Sequence, residues 1–312
     1  MNHPETRFLN TCPVGCAAPL EATPYILPEG ALLRCSACGQ LISQCTEERY
    51  WQSMQEFDDS QGTLPKAGSE SGRFRRSRKF LDRIVNLLGQ PPENIRLLDV
   101  GCSSGAFLNS AVKLGFRAEG VEPAPKAAAT AQAAGLNVRQ GLLHEAGYAD
   151  GQFDAITLFE VIEHLQQPQE LLRECRRILR PGGILLIGTG NAGSWSMSAM
   201  GARWEYLHIG KHGGHVSFFN PGSIASLAQR TGFSVAAIHT RGVRFCERGD
   251  CAAPVYRIAK LAGELVNFLA VSFNKGHDMA VYLKNSGIED HLLPAAQASP
   301  RHSKKRSSAA NL

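Results

Sequence analysis

Residues 97–108 constrain the fold more than any other part of the chain. Apolar residues at 97–100 lead into a turn with Gly101 and Gly105, and a helical apolar pattern begins directly afterwards. Glycine permits a turn tight enough for a ligand to lie against the backbone, and the free N–H groups of a helix N-terminus attract polar ligand groups. The segment therefore predicts a strand, a ligand-binding turn and a helix, as in nucleotide-binding α/β domains.

Hydrophobic periodicity after this turn predicts a regular alternation of strands and helices. Strand-like runs lie at 96–100, 118–122, 136–139, 153–159, 184–188, 233–239 and 277–283, and helical patterns lie at 105–114, 125–134, 166–179 and 255–273. Such alternation specifies a mostly parallel sheet covered on both faces. The predicted fold class is therefore α/β, with a Rossmann-like seven-stranded sheet, helices on both faces and a small N-terminal module.

The N-terminal module is predicted from its cysteines. Five of the nine cysteines lie in the first 48 residues. Two knuckles, Cys12-Pro-Val-Gly-Cys16 and Cys35-Ser-Ala-Cys38, suit a single tetrahedral Zn²⁺. Because four sulfur ligands leave no open position, the site would be structural. The first knuckle has three intervening residues instead of two, so Cys45 remains an alternative ligand.

The remaining thiols and the overall composition bear on the cellular setting. An odd number of cysteines, several of them in predicted core segments, favours metal ligation and buried thiols over a disulfide framework. No apolar run reaches the ~18 residues of a membrane span, and the polar start lacks the apolar core of a signal peptide. These features predict a cytoplasmic protein without a membrane span.

The domain organisation follows from these changes in composition. A zinc-ribbon-like module is predicted at 1–48, a linker with a leading helix at 49–95, and the main domain at 96–288 with an insertion at 191–220. A basic tail at 289–312 is expected to be disordered. The net charge of +5 is concentrated at 73–79 and 301–306, and such runs are interpreted as solvated faces, with RNA or a membrane surface as the alternative partner.

An acidic residue narrows the class of ligand. Glu122 ends the second strand, about twenty residues after the turn, where a carboxylate can accept hydrogen bonds from both ribose hydroxyls. The dinucleotide spacing GxGxxG is absent, because Ser103 occupies the middle position. The turn therefore favours a nucleoside-type ligand over a pyrophosphate-containing dinucleotide.

Five landmarks in order carry a family resemblance. They are Asp99-Val-Gly-Cys-Ser-Ser-Gly105, Val121-Glu122-Pro123, Phe153-Asp154, Phe159-Glu-Val-Ile-Glu-His-Leu165 and Leu179-Arg-Pro-Gly-Gly-Ile184. Over about residues 74–285 the chain resembles the class I S-adenosylmethionine-dependent methyltransferases of the ubiquinone-type and type 11 group. The resemblance implies S-adenosylmethionine as cofactor and transfer of its methyl group.

The same resemblance implies a set of cofactor-binding residues. They are Asp99, Gly101, Ser103 and Gly105 for the methionine part, Glu122 and Pro123 for the ribose, Gly141, Leu142 and Leu143 for the adenine, and Phe159 and Glu160 near the sulfonium. Plain core packing remains the alternative for the two leucines. Ser103 occupies a position where glycine is commoner, and it narrows the space for a ligand at the turn.

Two groups of residues are candidates for the acceptor side. On a helix, Glu160, Glu163 and His164 would share one face, and the alternatives are a divalent-cation site as in ubiquinone-type enzymes, a base or substrate contact at His164, and helix-start hydrogen bonds. The 191–220 insertion is either a lid over the acceptor or a cover for the sheet edge. His215 is the first choice for a general base. The insertion is rich in aromatic and imidazole side chains: Trp195, Trp204, Tyr206, His208, His212, His215, Phe218 and Phe219.

Three functions remain open at this stage. The first is methylation of a small molecule such as a quinone, sugar or lipid precursor, with oxygen as the expected acceptor atom. The second is nucleic-acid methylation with the zinc module and basic segments as the RNA footprint, although Phe-Glu-Val-Ile-Glu differs from the Asn/Asp-Pro-Pro-Tyr type of segment used on base amino groups. The third is cofactor binding without catalysis. The apolar 255–273 helix is expected to pack on the sheet or a subunit partner, with peripheral membrane contact as the alternative.

Overall fold

The computed structural model describes residues 6–60, 70–247 and 249–287. The predicted basic tail at 289–312 lies outside the described residues, as does the centre of the polar linker. The strands are β1 (Leu20–Leu27), β2 (Gly30–Cys35), β3 (Leu41–Ile42), β4 (Arg96–Val100), β5 (Arg117–Glu122), β6 (Val138–Gln140), β7 (Phe153–Phe159), β8 (Leu179–Gly190), β9 (Ser217–Phe218), β10 (Phe233–Arg241) and β11 (Asp278–Asn285). The helices are α1 (Glu47–Ser60), α2 (Glu70–Leu88), α3 (Ala106–Lys113), α4 (Pro125–Ala133), α5 (Pro168–Ile178), α6 (Trp195–Met200), α7 (Ile209–His212), α8 (Pro221–Arg230) and α9 (Ala253–Ser272).

The main sheet confirms the predicted fold class. Its seven strands run in the order β10-β11-β8-β7-β4-β5-β6. Neighbouring strands from β8 to β6 are parallel, whereas β11 is antiparallel to both of its neighbours. From β4 the chain first builds outward through β5 and β6 and then returns to add β7 on the other side. Ligands of open α/β sheets bind at such a reversal, outside the carboxyl ends of the strands.

Two apolar layers cover the faces of this sheet. On one face, β-strand residues such as Leu98 and Ile156 pack with Leu172 of α5 and Ile224 of α8. On the other face, strand residues pack with α2 and α3. Strand β7 is buried along almost its whole length, which explains its uninterrupted apolar sequence.

A second, four-stranded sheet joins the N-terminal module to the insertion. Its order is β1-β2-β3-β9, and β9 belongs to the 191–220 insertion. Leu41 pairs with Phe218 and Ile42 with Ser217. This pairing links residues far apart in sequence, so no local sequence pattern predicts it. The domain division stays a prediction, but the insertion and the module share one sheet.

One sequence-based expectation is wrong. Glu160 has a φ of 54° and only a single 3-10 turn, Ile162–His164, follows it, so Glu160, Glu163 and His164 do not share a helical face. Helix α5 begins only at Pro168, since proline favours the first helical turn. Cys246 and Cys251, five residues apart, form a disulfide. Among the described residues, no helix has the length and apolar character needed to cross a membrane.

Candidate active site

The glycine-rich turn after β4 has the tight geometry that its sequence predicts. Gly101 and Gly105 have φ values of 69° and 81°, in the left-handed region. A Cβ at Gly101 would lie 2.7 Å from Val161 Cγ2, and one at Gly105 would lie 2.3 Å from Leu136 Cδ1. Ser103 also has a positive φ of 48°, which a non-glycine residue adopts at an energetic cost. The turn therefore keeps its backbone close to the cleft at the carboxyl end of β4.

Glu122 lies beside this turn at the end of β5. Its buried carboxylate accepts hydrogen bonds from the backbone N–H groups of Ser103 at 2.7 Å and Ala124 at 2.9 Å, one at each oxygen. Glu122 thus holds the turn after β4 against the end of β5.

Asp99 anchors the turn from inside the sheet. It is buried, and its Oδ1 accepts a hydrogen bond of 2.6 Å from Thr157 Oγ1 on β7. Burial raises the pKa of the Asp99 carboxyl to about 7, the Thr157 hydrogen bond opposes this rise, and the charge of Glu122 adds to it. Asp99 therefore ties β4 to β7 directly below the cleft.

The predicted adenine and ribose contacts lie along the end of β6. Gly141 has a φ of 136°, and the backbone N–H of Leu142 donates to Glu145 at 3.1 Å. Leu143 belongs to the main core, which favours packing as its role, whereas Leu142 is buried outside that cluster. Pro123, next to Glu122, is half-buried.

Phe159 forms an aromatic wall where β7 ends. Its ring centroid lies 4.6 Å from that of Phe107 and 5.3 Å from that of Phe80. A Cβ at Gly188 would lie 2.4 Å from Phe159 Cδ1, so the neighbouring strand leaves room for this ring only because it carries glycine there. Glu160 follows Phe159 immediately, where β7 ends.

Two acidic residues meet His215 at this position. His215 Nε2 lies 4.0 Å from Glu160 Oε2 and 3.9 Å from Glu163 Oε1. One ligand atom from each of the three lies within 4.8 Å of the others, a set that could hold a cation. His164, predicted from sequence to join the two glutamates, instead packs edge-on against the His215 ring at 4.7 Å. The structure therefore substitutes His215 for His164 in the cluster.

The orientation of the His215 ring follows from a backbone contact. His215 Nδ1 lies 3.3 Å from the carbonyl oxygen of Tyr206. A carbonyl only accepts, so this contact assigns the proton of neutral His215 to Nδ1 and leaves the lone pair on Nε2. That lone pair is on the nitrogen nearest the two carboxylates. The Tyr206 ring also stacks on the His215 ring, with centroids 5.9 Å apart.

The two carboxylates influence each other. Burial raises the pKa of Glu163, which accepts a 2.8 Å hydrogen bond from Thr189 Oγ1. Burial and the charge of Glu163 both raise the pKa of Glu160. Because 45% of the Glu160 side chain is exposed, we attribute its shift mainly to Glu163. Two adjacent carboxylates of this kind stabilise a positive charge placed between them.

The aromatic residues of the insertion divide into two groups. Trp204 and Phe218 pack in an apolar cluster with Leu32 and Leu41 of the N-terminal module, and Phe219 packs in the main core, so these three rings serve packing. Tyr206 lies at the site, and its hydroxyl donates to Asp278 Oδ1 at 3.2 Å. Trp195 is half-buried and His208 is exposed, whereas the side chain of His212 lies outside the described residues.

Comparison with known proteins fixes the family. A family model described as a methyltransferase domain matches residues 72–238, more than half of the chain. The chain belongs to the class I S-adenosylmethionine-dependent methyltransferases. A ubiquinone biosynthesis O-methyltransferase of Cereibacter sphaeroides is 32% identical over 152 residues, covering 46% of this chain and 61% of the relative. One from Chromobacterium violaceum is 27% identical over 202 residues, covering 61% of this chain and 81% of the relative.

A solved structure agrees at the level of the fold. A methyltransferase from Archaeoglobus fulgidus, described as dependent on the same cofactor, superposes with a TM-score of 0.50 at 19% identity, covering 70% of this chain and 95% of that one. The chain spans less than two thirds of the length of the first curated relatives. The glycine turn, Glu122 and the end of β7 lie at the carboxyl ends of the parallel strands, where open α/β sheets bind ligands.

Sequence reasoning missed two contributors to this methyltransferase site. Asp278 begins β11 opposite Gly190, so the reversed strand brings it to the carboxyl edge of the parallel strands. Tyr50 of α1 donates from its hydroxyl to the carbonyl oxygen of His164 at 3.1 Å. A Cβ at Gly214 would lie 2.8 Å from Tyr50 Cε2, so Tyr50 also touches the turn before His215. The reversed direction of β11 could have predicted Asp278, but no local pattern marks Tyr50.

The four predicted zinc ligands converge in the N-terminal module. The sulfurs of Cys12, Cys16, Cys35 and Cys38 lie within 4.8 Å of one another, and Cys12 Sγ lies 3.6 Å from Cys38 Sγ. Tetrahedral Zn–S bonds of about 2.3 Å place sulfurs roughly 3.8 Å apart, which these distances fit. The hydrogen bond that Cys38 shares with Cys12 lowers the pKa of the Cys38 thiol to about 5.

The alternative ligand, Cys45, does not join the cluster. Its buried thiol donates to the carbonyl oxygen of Thr46 at 3.2 Å. Gly15, inside the first knuckle, and Gly39, directly after the second, both have a positive φ. The extra residue in the first knuckle is accommodated at Gly15.

Proposed function

We propose that this methyltransferase transfers a methyl group to a hydroxyl oxygen of a small molecule, such as a quinone, sugar or lipid precursor, with His215 as the general base. The observation that carries the proposal is the position of His215 Nε2 beside Glu160 and Glu163, where β7 ends. The curated relatives named as O-methyltransferases support oxygen as the acceptor atom.

The chemistry divides between the cofactor and the protein. S-Adenosylmethionine supplies a methyl group already activated by the sulfonium. A hydroxyl is a weak nucleophile until its proton leaves, so the protein must hold it in line and accept that proton. Proton transfer to Nε2 makes His215 an imidazolium whose Nδ1–H still donates to the Tyr206 carbonyl. Glu163 and Glu160 then stabilise the new positive charge.

A divalent cation held by the same three side chains is the second candidate for this role. The ligand atoms of Glu160, Glu163 and His215 are close enough to share one ion. An ion there would bind the acceptor oxygen directly and would occupy the nitrogen that otherwise takes the proton. Activity that disappears with a chelator and returns with Mg²⁺ or Zn²⁺ would favour the cation over the free base.

The test combines an unbiased acceptor search with matched variants. The purified protein is incubated with methyl-labelled cofactor and an extract from cells lacking its gene, and small molecules, lipids, RNA and protein are then separated. We expect label in the small-molecule or lipid fraction, much less with His215→Gln, and no change with His208→Gln, an exposed histidine of the same insertion. Label in RNA would replace this proposal with nucleic-acid methylation.

We also propose that Cys12, Cys16, Cys35 and Cys38 hold one structural Zn²⁺. The fit of their sulfur spacing supports this. Elemental analysis should find one zinc per chain, which Cys35→Ser removes and Cys45→Ser retains. Protein purified under metal-replete conditions with no bound zinc would contradict the proposal.

A further inference from the structure

Helix α9 turns its largest apolar side chains away from the rest of the protein. Leu265 is 81% exposed, Phe268 78%, Ile258 68% and Leu261 61%. These residues recur at intervals of three or four and form one stripe along the helix. Soluble monomers rarely expose a continuous apolar patch of more than a few hundred Å². This stripe, which we call the α9 stripe, is therefore a surface built for contact.

The opposite side of α9 is attached to the protein through small residues. Gly263 and Ala270 are the buried residues of the helix. A Cβ at Gly263 would lie 2.3 Å from the carbonyl oxygen of Val243, so the helix backbone rests directly on the segment after β10. The helix is thus already docked on its small-residue side, and the outward position of the α9 stripe belongs to the folded chain.

The charges beside the stripe indicate the kind of surface it meets. Arg257 and Lys260 are exposed on the helix, and Lys275 follows its end. Glu264 is the acidic residue of α9 and lies 3.9 Å from Lys260. A helix with Leu and Phe on one face and basic residues at its border has the composition of helices that lie in the headgroup region of anionic membranes.

We propose that α9 docks on the surface of an anionic phospholipid bilayer, with its axis along the membrane plane and the α9 stripe in the headgroup region. The basic border complements an anionic surface better than it complements a second copy of the same net-positive chain. The proposal does not depend on the reaction proposed above.

The position of α9 gives this docking a consequence for the enzyme. A cavity of about 540 Å³ lies between α9 and residues 242–247, and Tyr256 and Arg244 line it. Arg244 forms an ion pair with Glu205 of the insertion. Docking through α9 would therefore place the membrane next to the acceptor side of the methyltransferase.

Co-sedimentation of the full chain with vesicles tests the proposal. We expect binding to phosphatidylglycerol-containing vesicles, weaker binding to pure phosphatidylcholine, and a decrease with added salt. Leu265→Gln with Phe268→Gln should weaken binding by about tenfold or more, because two large apolar side chains lose their burial. Ile26→Gln with Val112→Gln, which changes two exposed apolar residues elsewhere, should bind like the wild type.

Other outcomes would overturn the proposal. Wild-type protein that stays in solution with anionic vesicles would do so, as would a stripe variant that binds fully. A concentration-dependent dimer in sedimentation velocity, lost in the stripe variant while no vesicle binding is seen, would assign the stripe to a second copy. If the stripe variant does not fold, Arg257→Gln with Lys260→Gln and the salt dependence of the wild type decide the question.

Discussion

The part of the site predicted to bind the cofactor (the cofactor half) and the part proposed to bind the acceptor (the acceptor half) are built from contacts of different range. On the cofactor half, Glu122 ends β5, and the Ser103 N–H that it holds lies 19 residues earlier, in the turn after the adjacent parallel strand β4. On the acceptor half, Tyr50 reaches His164 across 114 residues, and β9 pairs with β3 in the N-terminal module. Local contacts leave patterns in the sequence, whereas distant ones do not. The contacts of the cofactor half can therefore be predicted from the sequence, whereas those of the acceptor half become visible only in the structure.

Glu122→Ala is the most severe test of the difference between the cofactor half and the acceptor half. The change removes two charge-assisted hydrogen-bond acceptors for the ribose, each worth about 1.5–3 kcal/mol, so cofactor affinity should fall by roughly a hundredfold or more. Isothermal titration with S-adenosylmethionine measures this. Glu119→Ala, an earlier residue of β5, is the control and should titrate like the wild type. Unchanged isotherms for Glu122→Ala would show that Glu122 does not contact the ribose.

On the acceptor half, Glu163→Gln should reduce turnover and leave cofactor affinity unchanged. The variant keeps the shape and the Thr189 contact but loses the charge that stabilises a protonated His215. Loss of one such charge in a proton transfer costs about tenfold to a hundredfold in kcat. The acid limb of the pH–rate profile should also move to lower pH. A profile that keeps its position would show that Glu163 acts only through packing.

The structural role of Asp99, which lies between the two halves, can be tested by varying the pH. Because its pKa in the folded protein is about 7, above the value of about 3.9 for an unfolded chain, its contribution to stability is complete below pH 4 and is lost as the pH rises through 7. Asp99→Asn keeps an acceptor for Thr157 and removes the charge. The melting temperature of the variant relative to wild type should therefore rise between pH 4 and 7.5. A constant difference would contradict this expectation.

The smallest expected effect belongs to Tyr50→Phe. It removes the hydrogen bond to the His164 carbonyl but keeps the ring that stacks on Phe8 at 3.8 Å. We expect a loss of about 1 kcal/mol in unfolding free energy and a modest decrease in kcat, with cofactor affinity unchanged. Chemical denaturation and steady-state kinetics measure both. An effect on cofactor binding larger than that on kcat would mean that Tyr50 supports the cofactor half and not the acceptor half.

The limits of prediction follow from this difference in range. Strand β7 and the turn after β4 were predicted correctly because periodicity and glycine spacing are local properties. The expectation of a helix at Glu160 is wrong, because this residue has a positive φ in its folded surroundings. His215 was named from sequence, but its partners Glu160 and Glu163 were assigned to His164. Only the folded chain shows which histidine meets the carboxylates.

The most direct test titrates S-adenosylmethionine into His215→Gln and Glu122→Ala side by side and measures methyl transfer by each. We expect wild-type affinity with little transfer for His215→Gln, and weak affinity for Glu122→Ala with transfer recovered at high cofactor concentration. Equal loss of cofactor binding in both variants, or full transfer by His215→Gln, would contradict the separation of binding from proton removal.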